Sequence, residues 1–330
     1  MKTEQTSLHV NAPNRTALRQ GVRPEDHDDV ISFIDACQAR GLSRKSLVTY
    51  REAALMLAAF TASKGMPLLQ DLQREHIEDF FGALRAKGNK PATIKNRHSS
   101  LRALFSWMIH EDIRHEHPMD RIKMPHVPEQ VLPHYADQEI AQLLDAIPSK
   151  GTDLMGLRDR AMILFLFDTG VRCQELCDLS LGDVDREARH AHVVTGKSGK
   201  GRMVAFSSAV ATPLNSYMRR RGGWGTPGPT APLFATKSGG RLTTNGVRML
   251  MNRRFAAAGV EFRGTHAFRR SAGIGFLEAG GDPSDLKELM GWSSWSMLYR
   301  YTKATAGSRA LRAHEEHSPV ARMMQKGRKS

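Results

Sequence analysis

Between His117 and Pro133 the chain reads HPMDRIKMPHVPEQVLP, and Pro118, Pro125, Pro128 and Pro133 recur too closely for a helix to pass through. Each proline lacks an amide donor and collides with the carbonyl four residues back, so the segment is expected to run extended. This divides the chain. Residues 24–117 are expected to form one domain, 118–134 a linker and 135–306 a second domain, flanked by a polar tail over 1–23 and a tail or helix over 307–330. With 330 residues the chain is long enough for two such cores.

The first domain reads as helices throughout. Val30, Phe33, Ile34 and Cys37 recur at helical spacing and Gly41 ends that run. Ser43 can cap a second helix, a third covers roughly 74–87, and a fourth opens at Pro91 with Leu101, Leu104, Phe105 and Met108 on one face. The other face and approach of this last helix are basic, and Lys90, Lys95, Arg97 and Arg102 are candidate phosphate contacts.

In the second domain a helical pattern resumes at Asp137, and LRDRAMILFLFDTG forms an apolar helix closed by Gly170. Two β-rich runs joined by a Gly/Lys/Ser turn follow in HAHVVTGKSGKGRMVAFSS, and helices return from Thr244. The expected fold is mainly α with a small β-sheet: an α+β second domain behind an all-α helical bundle.

Charge selects the partner class. Forty-eight Lys and Arg against 34 Asp and Glu give a net +14, the footprint of a protein that meets a polyanion. No apolar run approaches the ~18 residues that cross a bilayer, and MKTEQTSLHVNAPNR lacks the apolar core of a signal peptide. A cytoplasmic, nucleoid-associated protein is expected.

Other chemistries find little support. Cys37, Cys173 and Cys177 are an odd count for a disulfide framework and are expected to be buried packing. The pairs His115/His117 and His190/His192 have no companion ligands, so no metal site is expected. TGKSGKGR ends like a phosphate-cradling loop, but Ala191 stands where that loop needs glycine and a strand follows instead of a helix. What remains is a hairpin presenting Lys197, Lys200 and Arg202 to DNA.

Four segments stand in order: TGVRCQEL at 169–176, TGKSGKGR at 195–202, THAFRR at 265–270 and LMGWSSWSMLYRYTK at 289–303. Together they resemble the tyrosine recombinase or phage integrase family, as do RDRAMILF, LSLGDVD and APLF between them. The likeness spans roughly residues 25–305. It implies a SAM-like helical core-binding domain followed by a catalytic domain. Arg172 and Arg269 would clamp the scissile phosphate, Lys197 would protonate the leaving 5′ oxygen, and His266 would handle a proton or bind phosphate. Trp292 stands where many members carry histidine, Glu175 would support Arg172, and Tyr301 would be the nucleophile.

Spacing separates Tyr301 from Tyr299. The family places the nucleophile nine residues after the position of Trp292, which selects Tyr301. Residues two apart on a helix point about 200° from each other, so both cannot face one phosphate. Tyr299 is expected to pack.

The chemistry needs these residue types. Attack on a phosphodiester builds negative charge in a pentavalent transition state, and the planar, permanently charged guanidinium fork matches phosphate oxygens. Such neutralisation removes the need for a metal, and the phosphotyrosine bond conserves the energy for rejoining, so neither a cofactor nor ATP is expected. Three departures from the family pattern bear on this. Arg270 replaces a frequent histidine, Phe268 a leucine, and Trp292 can donate one hydrogen bond but cannot titrate.

The resemblance implies a site-specific recombinase acting on double-stranded DNA through a 3′-phosphotyrosine and a Holliday junction. It would work as a homotetramer on two sites, with or without a partner recombinase, the C-terminal segment docking onto a neighbouring protomer. A monomeric topoisomerase and a DNA-binding protein without cleavage activity are the alternatives.

Overall fold

The computed structural model describes residues 21–124, 126–127, 133–147, 153–194, 201–224, 228–320 and 323. It separates into two compact units that divide after Glu129. Among the described residues no helix is long and apolar enough to cross a membrane.

The first unit holds helices α1 (Pro24–Ala39), α2 (Arg44–Ser63), α3 (Arg74–Ala86) and α4 (Pro91–His110). Local chemistry sets their ends. The Ser43 hydroxyl accepts the Ser46 amide at 3.2 Å, and Pro91 occupies the first turn of α4. Val30, Phe33, Leu57, Phe80, Leu101, Leu104, Phe105 and Met108 make one apolar core. Asp26 is fully buried within it, yet satisfied: one oxygen takes the Leu69 amide at 2.7 Å and the other Arg23 at 2.8 Å. The core continues past residue 117, because Met119 is completely buried in it. Helix α4 has already ended at His110, but the chain stays packed until beyond Met119.

The second unit contains α5 (Asp137–Asp145), α6 (Leu154–Thr169), α7 (Cys173–Asp178), β1 (Val184–Asp185), β2 (His190–Val194), β3 (Gly201–Ala205) and α8 (Ser208–Arg220). It continues with α9 (Thr244–Ala257), α10 (Thr265–Glu278), α11 (Pro283–Met290), α12 (Trp295–Ala304) and α13 (Ala306–His317). The strands form an antiparallel sheet in the order β1-β2-β3, with His190 opposite Ala205 and Val194 opposite Gly201. Two elements were not foreseen: the two-residue β1, and α8, which holds Pro213 within it.

Helix α6 buries Ala161, Met162, Ile163, Phe165 and Leu166 on more than one side, which makes it the axis of the unit against α8 and α10. A second, smaller apolar cluster joins Ile274, Leu277, Leu286, Met290, Trp292, Leu298 and Tyr301 from α10 to α12. This small cluster positions the site.

Candidate active site

Three chain turns bring the predicted residues together. Helix α6 stops at Gly170, whose φ of +60° is the left-handed conformation natural to glycine. A β-carbon there would also lie 2.7 Å from the Met290 methyl, so a side chain would be strained by the backbone conformation and would push the Met290 end aside. The chain then reverses into α7 with Arg172 at its cap. Here the Arg172 amide donates to Glu175 Oε2 at 2.8 Å and its Nη1 donates to Oε1 at 2.6 Å. Arg172 keeps 43 % of its side chain exposed, which leaves much of the guanidinium open to a ligand.

Arg269 comes from α10 and is 2 % exposed. It donates from Nη1 to the Gly170 carbonyl at 2.7 Å and from Nη2 to the Met290 carbonyl, and its guanidinium stands 5.5 Å from the centre of the Trp292 indole. Burial, then the charges of Arg172 and Arg202, push its pKa down to about 10, so it stays cationic at neutral pH. A guanidinium has five N–H groups, so donors remain beyond those two carbonyls.

His266 precedes Arg269 by one helical turn and is exposed at the start of α10. Desolvation by the groups around the ring, then Arg270, Arg269 and Arg172, hold its pKa below the ordinary value, which favours the neutral imidazole.

Tyr301 lies 3 % exposed on α12, its ring 4.6 Å from that of Trp292, centroid to centroid. The ring also lies against Gly273, where a β-carbon would sit 2.9 Å from two of its carbons. Burial raises the phenol pKa above its usual value, while Arg269, Arg270, Arg300 and Arg172 oppose that shift. Tyr299, two residues earlier, is 63 % exposed. The two rings lie apart as expected, one buried and one exposed, but Tyr299 does not pack. It lines an open apolar groove of about 390 Å³ with Pro283, Trp295 and Leu298.

Several expected DNA contacts are engaged elsewhere. Arg202 has only 10 % of its side chain exposed; it donates to both Glu175 oxygens, at 3.0 and 2.9 Å, and through Nε to the Leu289 carbonyl at 3.0 Å. It is part of the site's scaffold, not an open groove contact. Arg97 reaches Glu52 at 3.5 Å and Arg102 reaches Asp120 at 3.2 Å, whereas Lys90, at the N-cap of α4, and Lys95, within it, are exposed. Lys197 and Lys200 lie outside the described residues. Cys37 and Cys177 are buried as expected, while Cys173 is only half-buried. Among the described residues no three His, Cys, Asp or Glu side chains come together to hold a metal ion.

Sequence reasoning missed Gly273, Gly291 and the true partners of Arg202. Only the small residues of AGIG, one turn after Arg269, hint that something must approach α10 closely.

Comparisons with known proteins agree with this architecture. The Phage integrase family matches residues 135–307, and the Phage integrase N-terminal SAM-like domain matches residues 26–112. Tyrosine recombinase XerC of Myxococcus xanthus is 31 % identical over 235 residues, covering 69 % of this chain and 77 % of that protein. XerC of Roseiflexus castenholzii is 27 % identical over 285 residues, covering 86 % and 88 %. Among solved structures, the Tn1549 transposon integrase in complex with a circular intermediate DNA superposes with a TM-score of 0.68 at 18 % identity, covering 83 % of this chain and 94 % of that one. A lambda integrase dimer bound to a COC′ core site gives 0.65 at 19 % identity, covering 83 % and 76 %.

Proposed function

The chain belongs to the phage integrase family of tyrosine recombinases, and on that premise we propose that it is a site-specific recombinase that cuts and rejoins DNA through Tyr301. The observation that carries the reading is convergence. Arg172, His266, Arg269, Trp292 and Tyr301, far apart along the chain, belong to elements linked by direct contacts, with Arg269 touching the turns that carry Arg172 and Trp292.

In this reading the Tyr301 oxygen attacks the scissile phosphorus. A P–O bond to tyrosine forms, the bond to the 5′ oxygen breaks, and the phenolic proton is balanced by one delivered to the leaving 5′ oxygen, the role assigned to Lys197. Arg172 and Arg269 neutralise the equatorial oxygens, and loss of either is expected to cost about 2.7–4 kcal/mol in barrier. His266, kept neutral, can accept a proton or donate a hydrogen bond to phosphate. Trp292 holds the tyrosine and cannot act as an acid. The reverse reaction, with a 5′ hydroxyl from another strand, rejoins DNA without ATP or a metal. Two such exchanges pass through a Holliday junction in a tetramer. Helix α13, with Leu311 75 % exposed, is suited to reach a neighbouring protomer.

The test uses a nicked suicide duplex built on the sequence the protein itself selects from a randomised pool. Wild type and Tyr299→Phe should form a covalent protein–DNA adduct, with or without chelator. An adduct surviving in Tyr301→Phe would overturn the assignment.

A further inference from the structure

The Glu175 carboxylate is shared by two arginines in a regular pattern. Oε1 accepts Arg172 Nη1 at 2.6 Å and Arg202 Nη1 at 3.0 Å, while Oε2 accepts the Arg172 amide at 2.8 Å and Arg202 Nη2 at 2.9 Å. Both oxygens are thus saturated, and the carboxylate is only 6 % exposed. The Arg202 stem reaches it by crossing Gly291, where φ is +60° and a β-carbon would meet Arg202 Cδ at 2.8 Å. Its Nε then donates to the Leu289 carbonyl, beside the Met290 carbonyl that accepts from Arg269. Two guanidinium groups therefore cap the C-terminal, negative end of α11 just before Trp292.

We infer that Arg202 is a positioning residue for strand cleavage: it holds half of the Glu175 charge, so that Glu175 orients Arg172 without neutralising it, and it fixes the end of α11 that carries Trp292 against Tyr301. This rests on the roles proposed for Arg172 and Tyr301. Charge balance supports it. One carboxylate against one buried guanidinium would form a closed pair, whereas one against two leaves a net positive charge on the more exposed partner, Arg172. A phosphate arriving there meets an oriented, unspent cation. The charged groups facing Glu175 are Arg172 from the α7 cap, Arg202 from β3 and Arg269 from α10.

The experiment measures single-turnover adduct formation on the selected nicked duplex, and duplex affinity separately, for Arg202→Met, Arg202→Lys and Glu175→Gln, and for Arg202→Met combined with Glu175→Gln. The expected result is an adduct rate lower by about 10- to 100-fold in Arg202→Met, the scale seen for residues standing behind a ligand, with affinity changed less than about threefold. The acid limb of the rate should move to higher pH, because Glu175 loses a cation that favours its ionised form. Arg202→Lys should recover part of the rate, and the Arg202→Met effect should shrink in the Glu175→Gln background.

A wild-type rate in Arg202→Met would overturn the inference. So would affinity falling in step with rate and a salt slope reduced by about one, which would mark a direct phosphate contact. A rate loss with an unmoved acid limb and no coupling to Glu175 would mark packing alone, again against it. Should Arg202→Met fail to fold, Arg202→Lys and its combination with Glu175→Gln decide by the same coupling. The wild-type adduct is the control: without it the reading of Tyr301 falls, and with it a silent Arg202→Met sinks only this inference.

Discussion

The Tyr301 ring is held between the Trp292 indole, 4.6 Å away and tilted by 38°, and the bare backbone of Gly273 on α10. The place of the Tyr301 ring is thus set by one large side chain and one missing side chain. Burial raises the phenol pKa, and the charges of Arg269, Arg270, Arg300 and Arg172 oppose that rise.

Trp292→Ala removes a 5 %-exposed indole from the small cluster on α10 to α12. Urea unfolding should show a loss of about 3–5 kcal/mol if the unit unfolds in one step. Trp292→His should retain more of that stability, since a ring still covers Tyr301.

Gly273→Val should displace Tyr301 and abolish the adduct, with duplex affinity retained, because a β-carbon there falls 2.9 Å from the ring. Gly275 is the control. It lies exposed in the same helix with open space about it, so Gly275→Ala should stabilise by about 0.5–1 kcal/mol and leave cleavage intact.

The depressed pKa of His266 has a definite sign. Below about pH 6.5, the unperturbed value, the unfolded chain takes up this proton more readily than the folded one, so His266 contributes a loss of stability as pH falls from there through its folded pKa. An NMR titration should place its midpoint below that of a free histidine. Arg270→Ala should raise the midpoint, since Arg270 is the largest of the charges acting on it.

Glu175 has the same sign of pH dependence, from a different cause. Burial alone would raise its pKa, but hydrogen bonds and charge from Arg202 and Arg172 outweigh it and hold the value at about 2. Its contribution to stability is present above the ordinary carboxylate pKa of about 4.3 and is lost as pH falls towards 2. Acid unfolding of Glu175→Gln should therefore depend less on pH over that range.

At the start of α4, Lys90→Ala with Lys95→Ala should weaken duplex binding evenly across sequences and reduce the salt slope by about one for each phosphate that the variant no longer neutralises. Arg97→Ala should instead lower the stability of the first unit, because Arg97 is tied to Glu52 and the Thr49 carbonyl.

Helix ends were legible wherever the cause was local: Ser43 accepting its own turn, Pro91 opening α4, Gly170 closing α6. Helix α8 was not, because Pro213 sits in a helix maintained by the packing of Val210, Leu214 and Tyr217. The exposure of Tyr299 could not be read either, since a 3.6-residue repeat shows which residues share a face but not whether anything covers it.

The sequence by itself determined the residue types and spacings of the chemistry: arginines that stay charged, a tyrosine at a fixed distance past an indole, and a proline-rich boundary between two cores. Tertiary structure decided which charges remain available. Arg202 looked like a surface cation until β3 brought it to Glu175, 27 residues away, and to Leu289, 87 residues away. Arg97 and Arg102 likewise found carboxylates far along the chain. The physical reason is range: caps and periodicity act within a few residues, whereas pairing of a guanidinium depends on which distant carboxylate or carbonyl the folded chain places within about 3 or 4 Å of it.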